Sequence, residues 1–207
     1  MFSVINSAAA KVVGAVGRDD VTKYEWLLDN ISRAGDQECC NRYRQYWRMG
    51  LARLGPAFYK EYFTLLNSTD AASQPLNSIL EKLYPVSEKK DGSHSLQFSF
   101  ATKLLHMRNP KLPIYDSHVA QFYFFQGPKP GPNLHVRVNE CVTFYEFLRG
   151  EYERVLRDGL LASAIQEFRR QHESYVLTDQ KIVDFLIWGF VAEVKTGALL
   201  RNEMHYA

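Results

Sequence analysis

Ser95-Leu96-Gln97-Phe98-Ser99-Phe100-Ala101-Thr102-Lys103-Leu104-Leu105-His106-Met107-Arg108 is the stretch whose reading settles the fold class. Laid out at about 100° per residue, Ser99, Thr102, Lys103 and His106 share one arc of about 100°. Phe98, Phe100, Ala101, Leu104, Leu105 and Met107 fill the rest. A helix with so narrow a polar stripe belongs inside a domain, against other helices. The pattern breaks at Asn109-Pro110-Lys111-Leu112-Pro113, where the prolines cannot continue a helix. It resumes as Ile114-Tyr115-Asp116-Ser117-His118-Val119, with Asp116 placed to cap a helix from Ser117 to Phe124.

Moving outward, the same period recurs. Asp36 is an N-cap candidate for a helix whose apolar set, Cys40, Tyr43, Trp47, Leu51 and Leu54, steps by four or three residues. Pro56 opens a helix over Ala57 to Leu66, and a shorter one is expected from Pro75 to Tyr84. On the C-terminal side, Val136 to Arg157 and Leu160 to His172 are amphipathic. Thr178 caps Asp179 to Lys195, a helix apolar all round and therefore central. Strand alternation is nowhere sustained, although Lys129 to Val138 has room for a short extended piece. The expectation is an all-α, single compact domain over 1–207. It has N-terminal helices in 1–85, a helix-turn-helix core in 95–125 and C-terminal helices in 136–195.

Composition agrees with one packed domain: 46% of the 207 residues are hydrophobic and 14% aromatic, too apolar for a disordered chain. No apolar run approaches the roughly 18 residues of a membrane span, so no membrane partner is expected. Nor does a basic segment lead into a long apolar run, so no signal peptide is expected. Cys39, Cys40 and Cys141 lack CxxC spacing, which points to a reducing, cytoplasmic compartment without disulfides or a zinc site. His106 and His118 have no carboxylate or third histidine at ligand spacing, so neither metal nor cofactor is expected. A net charge of +2 and pI near 8.4 are compatible with nucleic-acid binding without demanding it. Arginines 42, 44, 48 and 53 interleave with Tyr43, Tyr46 and Trp47, a pattern of a nucleotide grip or of an ordinary solvated helix face.

One buried lysine followed by a proline-bounded turn that delivers one aspartate is a pair with chemistry in it. Cleaving an N-glycosidic bond builds positive charge on the sugar, which a fixed carboxylate stabilises. An amine deprotonated by burial can attack the sugar carbon and form a Schiff base. Aromatic walls would enclose an extruded base.

These residues carry a resemblance. Ser99-Phe100-Ala101-Thr102-Lys103 and Pro113-Ile114-Tyr115-Asp116-Ser117-His118-Val119 resemble two motifs of the helix-hairpin-helix DNA glycosylases typified by 8-oxoguanine glycosylase and endonuclease III. Those motifs are a Gly-Val-Gly-Thr/Arg-Lys hairpin and a Pro-Val-Asp-Thr/Val-His-Val/Met turn. The resemblance spans Phe98 to Phe125 and implies a helical glycosylase fold acting on double-stranded DNA with a flipped base. It makes Lys103 the amine nucleophile and Asp116 the catalytic carboxylate, with His118 largely structural and Ser117 and Tyr115 beside the substrate. Both hairpin glycines are absent here, which moves the implied phosphate contact to Lys89, Lys90 and Ser93. Lys103 and Asp116 are 13 positions apart (116 − 103), closer than in the family. Three functions follow in order: a base-excising glycosylase in DNA repair, with abasic-site lyase activity through Lys103; a non-catalytic DNA or modified-base binding module; and a helical interaction domain without a nucleic-acid role.

Overall fold

Helices follow one another from Phe2 to Lys195 among the residues that the computed structural model describes, which are 1–68, 74–89, 92–128, 131 and 133–199. They are α1 (Phe2–Ser7), α2 (Ala9–Gly14), α3 (Arg18–Asp29), α4 (Gln37–Tyr46), α5 (Pro56–Asn67), α6 (Leu76–Leu83), α7 (Phe98–Arg108), α8 (Ser117–Phe122), α9 (Leu134–Arg157), α10 (Ala162–Gln171) and α11 (Asp179–Lys195). Among the described residues the only extended pairing is an isolated bridge between Glu88 and His94. The all-helical single domain is thus the architecture, and no described helix is long and apolar enough to cross a membrane.

The strong local signals lie where the helices begin. Pro56 opens α5 as its first residue, a position where its missing N–H is not needed. Thr178 Oγ1 accepts from Lys181 N at 3.3 Å to cap α11, and Asp116 Oδ1 accepts from His118 N and Val119 N at 2.8 and 2.9 Å to cap α8.

Two expectations fail where backbone geometry overrides apolar spacing. The helix begun at Asp36 stops at Tyr46 instead of continuing to Leu54. Arg48 and Arg53 are left-handed, at φ 50° and 53°, and a left-handed residue breaks the i→i−4 ladder. The intervening 3₁₀ turn Met49–Ala52 buries Met49 fully and turns Leu51 outward, 78% exposed. The extended piece allowed in 129–138 is also absent where it is described. Asn133 Oδ1 accepts from Val136 N and starts α9 at Leu134; residues 129, 130 and 132 lie outside the described residues. Likewise α8 ends at Phe122, because Phe124 turns left-handed at φ 57°.

At the centre stands α11, packed against α2, α8, α9 and α10. Ile182, Val183, Leu186, Ile187 and Val191 are all buried, as an all-round apolar helix requires. It crosses α2 closely at Gly189. A Cβ there would lie 2.4 Å from the backbone oxygen of Val12, an atom that cannot step aside without moving α2. Gly189→Ala is therefore expected to cost about 3 kcal/mol, the upper end of overpacking, rather than to gain from helix propensity. Thermal or urea unfolding checks this; an alanine variant as stable as the parent would show the crossing to be loose.

Candidate functional site

The polar stripe of α7 is where the site is built, and it does not face water. Thr102 and His106 are buried, as is Lys103, and each of the first two holds the turn that follows the helix. Thr102 Oγ1 accepts from Tyr115 N at 3.0 Å, and His106 Nδ1 lies 2.6 Å from Leu112 O. Other helices finish the grip. Thr178 Oγ1, at the head of α11, donates to Pro110 O at 2.8 Å, and Tyr145 Oη on α9 donates to Pro113 O at 3.2 Å. Residues 110 to 115 are thus tied at four backbone groups by three helices, and Asp116 follows directly.

His106 has a defined tautomer. A carbonyl can only accept, so Nδ1 carries the proton for Leu112, and Nε2 accepts from Tyr24 Oη at 2.6 Å. Full burial, then the nearby Lys181 charge, pushes its pKa down to about 3.

Lys103 follows its own path. Its Nζ is 2.9 Å from Ser99 Oγ, one turn back on α7, and 5.3 and 5.4 Å from the ring centres of Trp47 and Phe100. No carboxylate lies within ion-pair distance of it among the described residues. Burial lowers its pKa from the ordinary 10.5; the charges of Asp116 and Asp184 oppose this and that of Lys181 assists it. The charge of the aspartate that the sequence singles out thus acts on the lysine that it singles out. Asp116 spends one oxygen, Oδ1, on both cap bonds.

His118 lies beside the same aspartate. Its ring packs on Trp188 at 5.4 Å, and Nε2 is 3.5 Å from Lys195 Nζ. Burial lowers its pKa; Asp116 opposes this, while the charges of Lys195 and Arg48 add to it. Arg48 and Lys195 are both exposed, and the charges of both act on His118.

The remaining expected residues are placed differently. Tyr115 does not present its ring to Lys103. It stacks on Phe98 at 4.1 Å and meets Phe125 and Phe144 edge-on, because Thr102 takes its backbone and leaves the side chain to the aromatic cluster of α9. Ser117 is exposed at the first position of α8. Lys89 and Ser93 form a tight turn, with Lys89 N donating to Ser93 O at 2.8 Å, and the adjoining His94 packs on Tyr84. Lys90 lies outside the described residues. Two surface grooves, one lined by Val155, Gly159 and Ala162 and one by Val136, Thr143 and Phe147, involve none of the Lys103 cluster.

Sequence reasoning passed over Lys181 and Asp184. They form an ion pair at 2.7 Å inside the core, and Lys181 also lies 4.0 Å from the Phe185 ring centre. The signal was present: two opposite charges three residues apart on a helix otherwise apolar all round. Trp47, read only as one of an aromatic series, contacts both lysines, and its Nε1 is buried without a partner among the described residues.

No protein-family model, curated protein or solved structure matches the chain.

The His106 geometry carries a pH consequence. The unfolded imidazole titrates near 6.5 and the folded one near 3, so the folded state refuses a proton that the unfolded chain accepts. Stability is complete above about pH 6.5 and falls as pH drops from there towards 3. His172, whose pKa burial and Arg18 also lower, adds a change of the same sign. The melting temperature is expected to fall between about pH 7.5 and 4.5, and His106→Asn to flatten that slope. An unchanged slope in the variant would show that His106 is not held neutral.

Proposed function

We propose that the protein is a DNA glycosylase-like enzyme in which Lys103 is the nucleophile and Asp116 the carboxylate that stabilises charge on the sugar. The observation that carries this reading is the buried Lys103 amine, bonded to a hydroxyl instead of a carboxylate and lying within electrostatic reach of Asp116. Structural lysines rarely give up their water without gaining a carboxylate. A lysine driven towards its free amine has the lone pair that Schiff-base chemistry needs. The resemblance of residues 98–125 to the helix-hairpin-helix glycosylases supplies the same two residues in the same order.

In this scheme Lys103 Nζ attacks C1′ of a nucleotide turned out of the duplex, and the base departs with the electrons of its glycosidic bond and takes up a proton. Opening of the sugar ring then leaves a C=N bond to the enzyme. Asp116 faces the positive charge that develops at C1′. Arg48 and Lys195 supply exposed cations for the phosphates that flank the turned-out nucleotide. The cap bonds of Asp116 favour a second reading, because they account for that residue without chemistry. On that reading the fold is a modified-base binding module.

Borohydride trapping separates the two. With duplexes containing an abasic site or an oxidised base, a covalent adduct mapped to Lys103 is expected. Lys103→Ala should abolish it, and Asp116→Asn should slow base release by roughly 10²–10³. DNA binding without an adduct or base release from any duplex of the panel would establish the binding module instead. Absence of DNA binding even at low salt would overturn both readings.

A further inference from the structure

Two lysines are buried in one part of the core, and only one has a carboxylate in contact. Lys181, 2% exposed, holds Asp184 at 2.7 Å and lies among the rings of Phe185, Tyr24 and Trp47 at 4.0, 4.6 and 5.5 Å. Lys103, 8% exposed, lies 5.3 Å from the same Trp47 ring and has only Ser99 Oγ. A buried ammonium without a partner is costly, so whichever lysine holds Asp184 stays charged and the other is driven towards its free amine.

We propose that Lys181 is a positioning residue for Lys103: by occupying Asp184 it keeps that carboxylate from capturing Lys103 in an ion pair, and so leaves the Lys103 lone pair available for attack on an electrophilic carbon. This deepens, and rests on, the reading of Lys103 as the nucleophile. The arrangement has little value as a structural staple. A buried ion pair can often be exchanged for apolar residues without loss of stability, and the rest of α11 in this region is apolar.

The groups facing the two lysines come from several elements. Asp116, at the head of α8, and Asp184 favour a charged Lys103; burial and Lys181 disfavour it. The charge of Asp184 is felt by Tyr24 of α3, Tyr46 of α4 and Tyr152 of α9, and is itself acted on by Asp116 and both lysines. Among the described residues, Lys103 is the other cation whose charge acts on Asp184.

The test is reductive methylation of the full chain with formaldehyde and cyanoborohydride over a pH series, with Lys103 followed by peptide mass spectrometry. The free amine condenses with formaldehyde, water leaves, and hydride from cyanoborohydride reduces the C=N bond, so labelling reports the unprotonated fraction. In the wild type Lys103 is expected to label at lower pH than the exposed Lys111. In Lys181→Met its profile should move up by about one unit or more, a tenfold or greater loss of labelling near neutral pH. Lys181→Met/Asp184→Leu should restore the wild-type profile, and Lys181→Arg should retain it. Lys181→Gln keeps a hydrogen bond to Asp184 without balancing its charge; it should show the same upward shift and serves if the methionine variant does not fold. No labelling of Lys103 in the folded wild type, an unmoved profile in the folded single variants, or a shift that persists in the double variant would overturn the inference. A profile that moves as expected in a protein that traps no DNA would leave the inference standing and remove the glycosylase reading.

Discussion

Everything about this site depends on how α7 uses its polar side chains. A helix buried on almost every side must satisfy each polar group within the protein. Thr102 and His106 do so by bonding backbone groups of the following turn, while Thr178 and Tyr145 take two further carbonyls from other helices. The prolines at 110 and 113 cannot donate, so these carbonyls and the Tyr115 N–H are the groups by which the turn is fixed. The result is a rigid delivery of Asp116 to the end of the stripe that carries Lys103.

The same core holds two lysines, the aspartate Asp184 and a neutral histidine, with Asp116 half-buried at the head of α8. Such a cluster is expensive to bury and is not how a domain of this size gains stability. Its one full ion pair, Lys181–Asp184, leaves Lys103 and Asp116 without a direct partner for each other's charge. Sites that concentrate perturbed groups in this way are more often functional than structural, because reactivity needs protonation states that open water would not allow.

Much of this was legible in the residues. The 3.6-residue period and the prolines placed α5 and α11 to within a residue and the end of α7 at Arg108, although α7 starts at Phe98 and not at Ser95; the Asp116 and Thr178 caps were readable because capping is local chemistry. Leu51 was misplaced because spacing alone does not reveal a left-handed backbone at Arg48 and Arg53, which flank the buried Met49. Tyr115 adjoins Asp116, and because successive side chains of an extended segment point to opposite sides, its ring lies with Phe98, Phe125 and Phe144. Lys181 and Asp184 were missed for a different reason. Their i, i+3 spacing is ordinary on a surface helix, and only the rings of Tyr24, Trp47 and Phe185 closing over Lys181 turn the pair into a core feature.

The central claim is that Lys103 and Asp116 share one electrostatic environment inside the protein. Nitrogen-detected NMR titration of the lysine amines tests it most directly, comparing the wild type with Asp116→Asn. The account predicts a Lys103 midpoint below the ordinary 10.5 that falls further in the variant, since the lost carboxylate favours the ammonium. A midpoint at or above 10.5, or one indifferent to Asp116, would contradict it.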